Sequence, residues 1–353
     1  MGQKGIAVTL LTLLLATCST LGAAASTELL PSSAPLLRLA QQQPVPKGDD
    51  TKPTRVKVVA IEGNQLFPVQ IMQTKGIADK YRLQIDLVRV AGPQASYTIM
   101  QTGDFQIGFG GWLTIALMRE KGFKLTNVYS MQAYTNDVIV TNDSPLKTMA
   151  DLKGKRIGLF GGPTAATSWL FRLQSVKFFG FDPMKESKIH YGAPPLLSGM
   201  LERGELDAVL ILDPFITRLL ETGKFRSIAN IGDIWRAKTG QDPMLVAVTV
   251  NEPWAQANPA IVERFVAGFK EALTYLKTTP EAWPEIAKAM GVKTDHGAKL
   301  LQQRTAAAFI TRWDQKFIDE QYAYAAEIIK VFGEAGDVPK QIPDGTFDMS
   351  YAR

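Results

Sequence analysis

The sequence predicts an α/β protein of two lobes, each built on a parallel-rich β-sheet with flanking helices. Short apolar runs alternate with segments of helical spacing along most of the chain, a pattern typical of parallel sheets. About 300 residues follow residue 54, which is more than one compact core comfortably holds, so two lobes are expected.

The first lobe is predicted from strands and helices that alternate up to residue 136. Residues 127–140 are largely extended but interrupted at 135–137, where we place a first crossover to the second lobe. A strand at 245–250 returns the chain, so a second crossover is expected at 234–244, and the two crossovers form the predicted hinge. The other predicted strands are 55–61, 83–90 and 105–111, and the helices are 66–81, 97–102 and 112–120.

A glycine-rich turn follows a short apolar strand in the second lobe. The strand spans residues 157–160, and after Gly161 and Gly162 an amphipathic segment opens at Pro163, a residue suited to the first turn of a helix. A helix start of this kind presents free backbone N–H groups and a positive dipole end. The turn therefore predicts a place for a small polar or anionic solute.

A second sequence motif complements this turn. Residues 195–206 have helical spacing, and the buried strand that follows delivers Asp213, Pro214 and Phe215 to its carboxyl end. Ligands of open α/β sheets bind at that edge. Further helices are predicted from residue 261, at 294–308 and at 314–332.

These motifs resemble those of the solute-binding proteins of ABC importers, in the nitrate, sulfonate, taurine and thiamine-precursor (SsuA/THI5-like) group. The resemblance is carried by D-L-K-G-K-x-I-G at 151–158, Gly-Gly-x-Thr at 161–164 and G-E-L-D-A-V-x-x-x-D-P at 204–214, and it covers residues 55–333. It implies a type II periplasmic-binding-protein fold whose C-terminal helices pack outside the first lobe. It also implies hinge closure over a small solute and delivery to an ABC permease in the inner membrane. An extracytoplasmic sensor is the alternative.

The N-terminus predicts export. Residues 1–25 have the order of a secretory signal peptide, with Lys4, an apolar run too short to span a bilayer, and a final Ala-Ala-Ala. Residues 26–54, rich in Pro, Ser and Gln, predict a disordered tether. Cys18, the only cysteine, is either a lipidated residue of a lipobox or part of a cleaved signal peptide. The lobes are then residues 55–136 with 240–353, and 137–239, in a periplasmic protein.

Composition argues against other classes of function. The net charge of +5 comes from scattered residues, so no nucleic-acid partner is expected. The only histidines, His190 and His296, lie in different predicted lobes without metal-ligand spacing. No nucleophile motif is present, and the cysteine-rich signature of the related thiamine-precursor synthases has no counterpart. We expect a monomeric binding protein without cofactor or metal, not an enzyme.

The candidate ligand contacts lie in turns that follow strands of both lobes, facing one cleft. Trp112 is either a stacking surface or a core residue, Thr164 either a contact or a helix cap, and Asp213 either a contact or a turn former. The candidates are Asn64, Gln65, Gly110, Gly111, Trp112, Asn136, Asp137, Gly162, Thr164, Ala165, Thr167, Asp213 and Phe215.

The charge of the solute stays open on the sequence alone. No Arg or Lys falls in these turns, so a sulfonate or nitrate would depend on helix amides and Thr hydroxyls. Four carboxylates near the predicted cleft favour a zwitterionic or nitrogen-containing solute instead. They are Glu62, Asp137, Asp213 and Asp242.

Overall fold

The computed structural model describes residues 53–333 and 338–352. The predicted signal peptide, Cys18 and nearly all of the predicted tether lie outside the described residues. The described part contains two five-stranded sheets. The first has the order β2-β1-β3-β10-β4, from β1 (Thr54–Ile61), β2 (Leu83–Val90), β3 (Ile107–Gly111), β4 (Leu125–Ala133) and β10 (Met244–Asn251). The second has the order β7-β6-β8-β5-β9, from β5 (Asp137–Thr141), β6 (Arg156–Phe160), β7 (Lys188–Gly192), β8 (Ala208–Ile211) and β9 (Phe225–Asn230).

Each sheet has one strand that is antiparallel to both of its neighbours. These strands are β10 in the first sheet and β5 in the second, and the other strands of each sheet run in one direction. Both follow a crossover, since the chain passes between sheets at 134–136 and returns at 240–243. The predicted fold of two parallel-rich sheets is confirmed, while the exact lobe boundaries stay a prediction.

Helices connect the strands and cover the sheets. In the first half they are α1 (Leu66–Thr74), α2 (Ile77–Lys80), α3 (Pro93–Thr102), α4 (Trp112–Glu120), α5 (Ala166–Phe179), α6 (Pro183–Glu186) and α7 (Pro194–Glu202). They continue with α8 (Phe215–Leu220), α9 (Ile231–Thr239), α10 (Glu252–Ala257), α11 (Pro259–Thr278), α12 (Trp283–Ala289), α13 (Asp295–Ala308) and α14 (Gln315–Phe332). None of the helices in the described ranges is long and apolar enough to cross a membrane.

The apolar face of α11 packs on the first sheet. Phe265 and Phe269 are fully buried, and Phe269 stacks on Phe109 of β3 with ring centroids 5.3 Å apart. The helical spacing from residue 261 onward predicted this face, because side chains three and four positions apart share one side of a helix.

Helix α14 departs from the expectation that the C-terminal helices pack outside the first lobe. Phe317, Tyr324 and Ile328 are buried in one core cluster with Trp169 and Leu170 of α5, which covers the second sheet. The Tyr324 hydroxyl lies 2.9 Å from that of Tyr134, at the crossover. The periodicity predicts the apolar face of α14 but carries no information about the core that receives it.

The glycine-rich turn after β6 is longer than predicted. Gly161 and Gly162 adopt φ values of +102° and +94°, and α5 begins at Ala166 rather than at Pro163. Thr164 is exposed and does not cap the helix, whose N-cap position is taken by Ala165 without a side-chain hydrogen bond. The turn therefore leaves the start of α5 open.

Candidate functional site

A cavity of about 70 Å³ lies where the turns of the two sheets meet. The first sheet and its helices contribute Ile61, Glu62, Asn64, Gln65, Pro93, Tyr97, Gly111, Gln132, Leu245 and Val246. The crossover contributes Asn136, and the second-sheet side contributes Phe160, Gly161, Ala165, Ala166, Thr167 and Leu212. The lining thus comes from both sheets, as expected for a ligand site at the carboxyl ends of strands.

Three helices begin beside this cavity. They are α1 after Gln65, α4 after Gly111 and α5 after Ala165. None of the three has a side-chain cap hydrogen bond or an acidic residue in its first turn. Their N-terminal N–H groups and positive dipole ends are therefore not neutralised by side chains of their own first turns.

Two buried amide side chains in the lining have polar atoms without partners. Asn64 is 3% exposed, and neither its Nδ2 nor its Oδ1 has a hydrogen-bond partner within the described part of the chain. The Asn136 Nδ2 donates to the Ile211 carbonyl at 3.1 Å, but its Oδ1 has no such partner. An unpaired buried polar group costs about 1–3 kcal/mol, so these atoms are candidates for hydrogen bonds to a solute.

The other polar groups of the cavity are held in fixed positions. The Gln65 Oε1 accepts from the Ile61 N–H at 2.9 Å. The Tyr97 hydroxyl accepts from the Gly111 N–H at 3.0 Å. Burial raises the pKa of Tyr97, although the neighbouring Thr114 side chain and the hydrogen bond from the Gly111 N–H oppose it, so this hydroxyl stays neutral at physiological pH. Such preorganised groups orient a ligand without adding charge.

Two predicted contacts, Asp137 and Asp213, are instead paired with Arg304 of α13. The Arg304 Nε donates to Asp213 at 2.7 Å, its Nη1 donates to Asp137 at 2.9 Å, and its Nη2 donates to the Thr135 carbonyl at 3.3 Å. Asp213 also accepts from the Thr217 N–H and hydroxyl, at 3.0 and 2.6 Å. We call Arg304, Asp137 and Asp213 the arginine triad.

The triad is almost completely buried. The side chains of Arg304, Asp137 and Asp213 are 16%, 3% and 1% exposed. Burial acts to lower the pKa of Arg304, but the two carboxylates outweigh it and raise the pKa, so the guanidinium stays charged. A third carboxylate, Asp242, binds Arg236 at 2.5 Å. Of the four acidic residues that favoured a cationic solute, only Glu62 lines the cavity, and it is exposed.

The structure brings together about half of the predicted contacts. The residues that line the cavity are Asn64, Gln65, Gly111, Asn136, Ala165 and Thr167. Those outside this lining are Gly110, Trp112, Asp137, Gly162, Thr164, Asp213 and Phe215. Trp112 is a core residue, fully buried, whose Nε1 donates to the Met244 carbonyl at 2.9 Å and whose ring packs against Tyr324 and Phe347.

Sequence reasoning missed several residues of the site. The candidate contacts were predicted in turns that follow strands. Tyr97 lies within a helix and Gln132 within a strand, so this criterion did not include them. Arg304 lies in the middle of a helix with no local pattern that marks it. Its 167-residue separation from Asp137 shows why no nearby sequence could indicate the pairing.

Comparisons with known proteins identify the family and the fold. The family model described as "NMT1/THI5 like" matches residues 64–283. A putative aliphatic sulfonates-binding protein of Escherichia coli (strain K12) is 26% identical over 219 residues, 61% of this chain and 64% of that protein. The taurine-binding periplasmic protein of the same organism is 22% identical over 184 residues, 52% of this chain and 55% of that protein. This chain therefore spans less than two thirds of the length of these curated relatives.

A third relative has an enzymatic name. The 4-amino-5-hydroxymethyl-2-methylpyrimidine phosphate synthase of Aspergillus parasiticus is 21% identical over 228 residues, 61% of this chain and 64% of that protein. The similar proteins thus include both binding proteins and a synthase.

Solved structures share the fold. The alkanesulfonate-binding protein SsuA from Xanthomonas axonopodis pv. citri, bound to MOPS, superposes with a TM-score of 0.68 at 20% identity, covering 85% of this chain and 99% of that chain. The nitrate-binding protein NrtA from Synechocystis PCC 6803 superposes with a TM-score of 0.61 at 13% identity, covering 81% and 82%. At these identities the likeness establishes the two-sheet architecture.

Proposed function

Since this chain belongs to the NMT1/THI5-like family, we propose that it is the extracytoplasmic solute-binding component of an ABC importer. Its solute is a small organic anion, with a sulfonate as the leading class. The relatives named for aliphatic sulfonates and taurine support this assignment.

The observation that carries the proposal is a cavity onto which three helix starts without side-chain caps open, and whose single charged residue in the described lining, Glu62, is exposed. Backbone N–H groups and helix dipoles bind anions without a cationic side chain. The Asn64 Nδ2, unpaired among the described residues, can donate to an anionic group, whereas the likewise unpaired Oδ1 atoms of Asn64 and Asn136 can accept from an N–H or O–H of the solute. The carboxylates that would have favoured an amine are largely paired with arginines, so an anion fits this site better than a cation. Exposed Glu62 suits the ammonium group of a zwitterionic sulfonate.

Hinge closure is the proposed mechanism. A solute that contacts Asn64 on one side and the start of α5 on the other binds more tightly when the lobes are together. This difference in affinity favours the closed state, with the crossovers at 134–136 and 240–243 as the hinge. A permease in the inner membrane would receive the solute from this form.

Binding without turnover is part of the proposal, despite the synthase among the relatives. His190 on β7 and His296 on α13 are exposed and lie outside the cavity lining. The cavity offers hydrogen-bond donors and the hydroxyls of Tyr97 and Thr167, the described residues of its lining include no histidine or cysteine, and its one carboxylate among them, Glu62, is exposed. We further propose export by residues 1–25 to the periplasm, a monomeric state, and Cys18 as a lipid anchor if the lipobox is used.

A ligand screen tests the proposal. Ethanesulfonate, taurine and nitrate are compared with putrescine and a pyrimidine by thermal shift and calorimetric titration of the purified full chain. A ligand at about 100 times its dissociation constant stabilises the fold by about 2.7 kcal/mol. We expect binding of a sulfonate, recovered chemically unchanged by mass spectrometry. Binding of putrescine alone would contradict the anion assignment, and a converted ligand would contradict binding without turnover.

A further inference from the structure

A second cavity, of about 360 Å³, lies next to the first. Exposed Glu62 lines both cavities. Two turns also contribute to both cavities. In the first turn, Asn64 lines the first cavity and Gly63 the second; in the other turn, Leu212 lines the first cavity and Pro214 the second. The two cavities therefore lie on either side of the same contact between the sheets.

Two arginines reach the second cavity from opposite sheets. Arg89 lies on β2 of the first sheet, and Arg218 lies on α8, which follows β8 of the second. Neither forms an ion pair with any residue in the described ranges, and Glu62 is the acidic residue of the lining. The cavity thus carries one more positive than negative side chain. We call it the arginine pocket.

Arg218, although exposed, lies against two neighbouring residues. Its guanidinium carbon lies 5.4 Å from the ring centroid of Phe215, within the range of a cation–π contact. A Cβ placed on Gly291 would lie 3.8 Å from the same carbon, so that glycine borders the guanidinium directly. Phe215, predicted as a ligand contact, therefore shapes the arginine pocket rather than the inner cavity.

Closure brings the two arginines to one cavity. A Cβ placed on Gly63 would lie 3.3 Å from the Asp213 carbonyl oxygen, so the two turns touch in this structure. Two like charges on approaching surfaces oppose that contact. An anionic group between Arg89 and Arg218 offsets the repulsion between the two guanidinium groups. It also attracts both of them, and this attraction is complete only when the two sheets are in contact.

We propose that the arginine pocket binds a second anionic group of the solute, so that the preferred ligand is a dianion such as an ω-carboxyalkanesulfonate. The inference rests on the proposed function, in which the first anionic group occupies the inner cavity. It assigns Arg89 and Arg218 as specificity-determining residues, since a mono-sulfonate leaves them without a partner.

A chain-length series tests this inference. Sulfoacetate, 3-sulfopropionate and 4-sulfobutyrate are titrated by calorimetry against alkanesulfonates of matched length, with the full-length chain. The variants are Arg89→Gln, Arg218→Gln and the double variant. Lys121→Gln and Lys238→Gln remove the same charge from exposed positions outside both cavities and serve as controls.

We expect one dianion of the series to bind at least about 10-fold more tightly than its matched alkanesulfonate. Each arginine variant should lower the affinity for that dianion about 5-fold, leave the alkanesulfonate unchanged, and lose this effect at high salt. Equal affinity of dianions and alkanesulfonates overturns the inference and leaves the proposed function intact. The same holds if the controls act as strongly as the arginine variants. Absence of binding by every probe overturns the sulfonate assignment itself, and this inference with it.

Discussion

The inner cavity and the arginine triad lie at the same junction between the sheets, but they differ in whether their buried polar groups have partners within the protein. In the cavity, Asn64 is buried without a hydrogen-bond partner inside the described chain. In the triad, both carboxylates and the guanidinium are buried and paired. The contrast indicates that the buried charges of the triad serve structure, while the buried neutral amide of Asn64 is left for the solute. Substitutions in the two regions should therefore affect different quantities.

The largest effect is expected for Arg304→Met. The substitution leaves Asp137 and Asp213 buried without their cation, and breaking a buried ion pair in this way costs about 3–5 kcal/mol. Urea unfolding, followed by circular dichroism, measures this loss as a lower transition midpoint. Arg203→Met, at an exposed ion pair with Glu205, is the control and should leave the transition midpoint nearly unchanged, because solvent screens an exposed pair. Similar losses in both variants would mean that the triad contributes no more than a surface pair.

Asn64→Ala should show the opposite behaviour. Removing an amide that has no hydrogen-bond partner among the described residues should leave the free energy of unfolding unchanged or slightly higher, because no hydrogen bond within that part of the chain is lost. Affinity for the sulfonate found in the ligand screen should fall about 10- to 100-fold, as expected for a hydrogen bond to a charged group. Asn142→Ala, at an exposed position outside the cavity, is the control for calorimetric titration. Lost stability with unchanged affinity would assign Asn64 to the scaffold.

Gly63→Ala tests whether the contact between the turns matters for binding. Gly63 has a φ of +115°, and an added Cβ would lie 3.3 Å from the Asp213 carbonyl oxygen on the other side. In the Gly63→Ala variant, alanine is strained at this φ and its Cβ crowds the Asp213 carbonyl. Only the crowding opposes contact between the two turns. Gly122→Ala has comparable strain, at φ +94°, with nothing near the added Cβ, so it isolates the second effect. We expect about a 10-fold loss of affinity for Gly63→Ala alone, and equal affinities would argue against closure at this contact.

The smallest effect concerns an ion pair away from the junction. Burial acts to raise the pKa of Asp182, but Arg172 and the Met184 N–H outweigh it and lower the pKa below its usual value. The pair is 21% and 14% exposed, so its contribution should be about 1 kcal/mol. A lowered folded-state pKa gives stability that is present above the unfolded value and lost as pH falls through the folded one.

Asp182→Asn should therefore destabilise the protein at pH 7, with the difference from wild type shrinking below about pH 3. Urea unfolding at both pH values measures it. Asp143→Asn, at an exposed loop position, should show little effect at either pH. A difference that grows on acidification would contradict the assigned direction of the pKa shift.

Local patterns in the sequence were enough to determine the two-sheet fold and part of the site. Apolar alternation marked the strands, and the carboxyl ends of those strands pointed to Asn64, Gln65 and Asn136. The rule placed these three residues in the cavity lining because strand direction and turn position follow from nearby residues, and their contact with a solute stays a prediction. The same rule could not separate Asn136 in the cavity from Asp137 in the triad, although the two are adjacent in the chain.

Only the tertiary structure decided which polar groups are hydrogen-bonded or ion-paired within the protein. Asp213 and Arg304 are 91 residues apart, and their pairing depends on where α13 lies against the second sheet. The position of α14, whose Tyr324 packs in one cluster with Trp112 from the first-sheet side and Trp169 from the second, was decided in the same way. Helical periodicity specifies which face of a helix is apolar, whereas the surface that buries this face depends on packing between distant segments. The sequence therefore determined the scaffold and its open turns, and long-range packing determined the charge of the site.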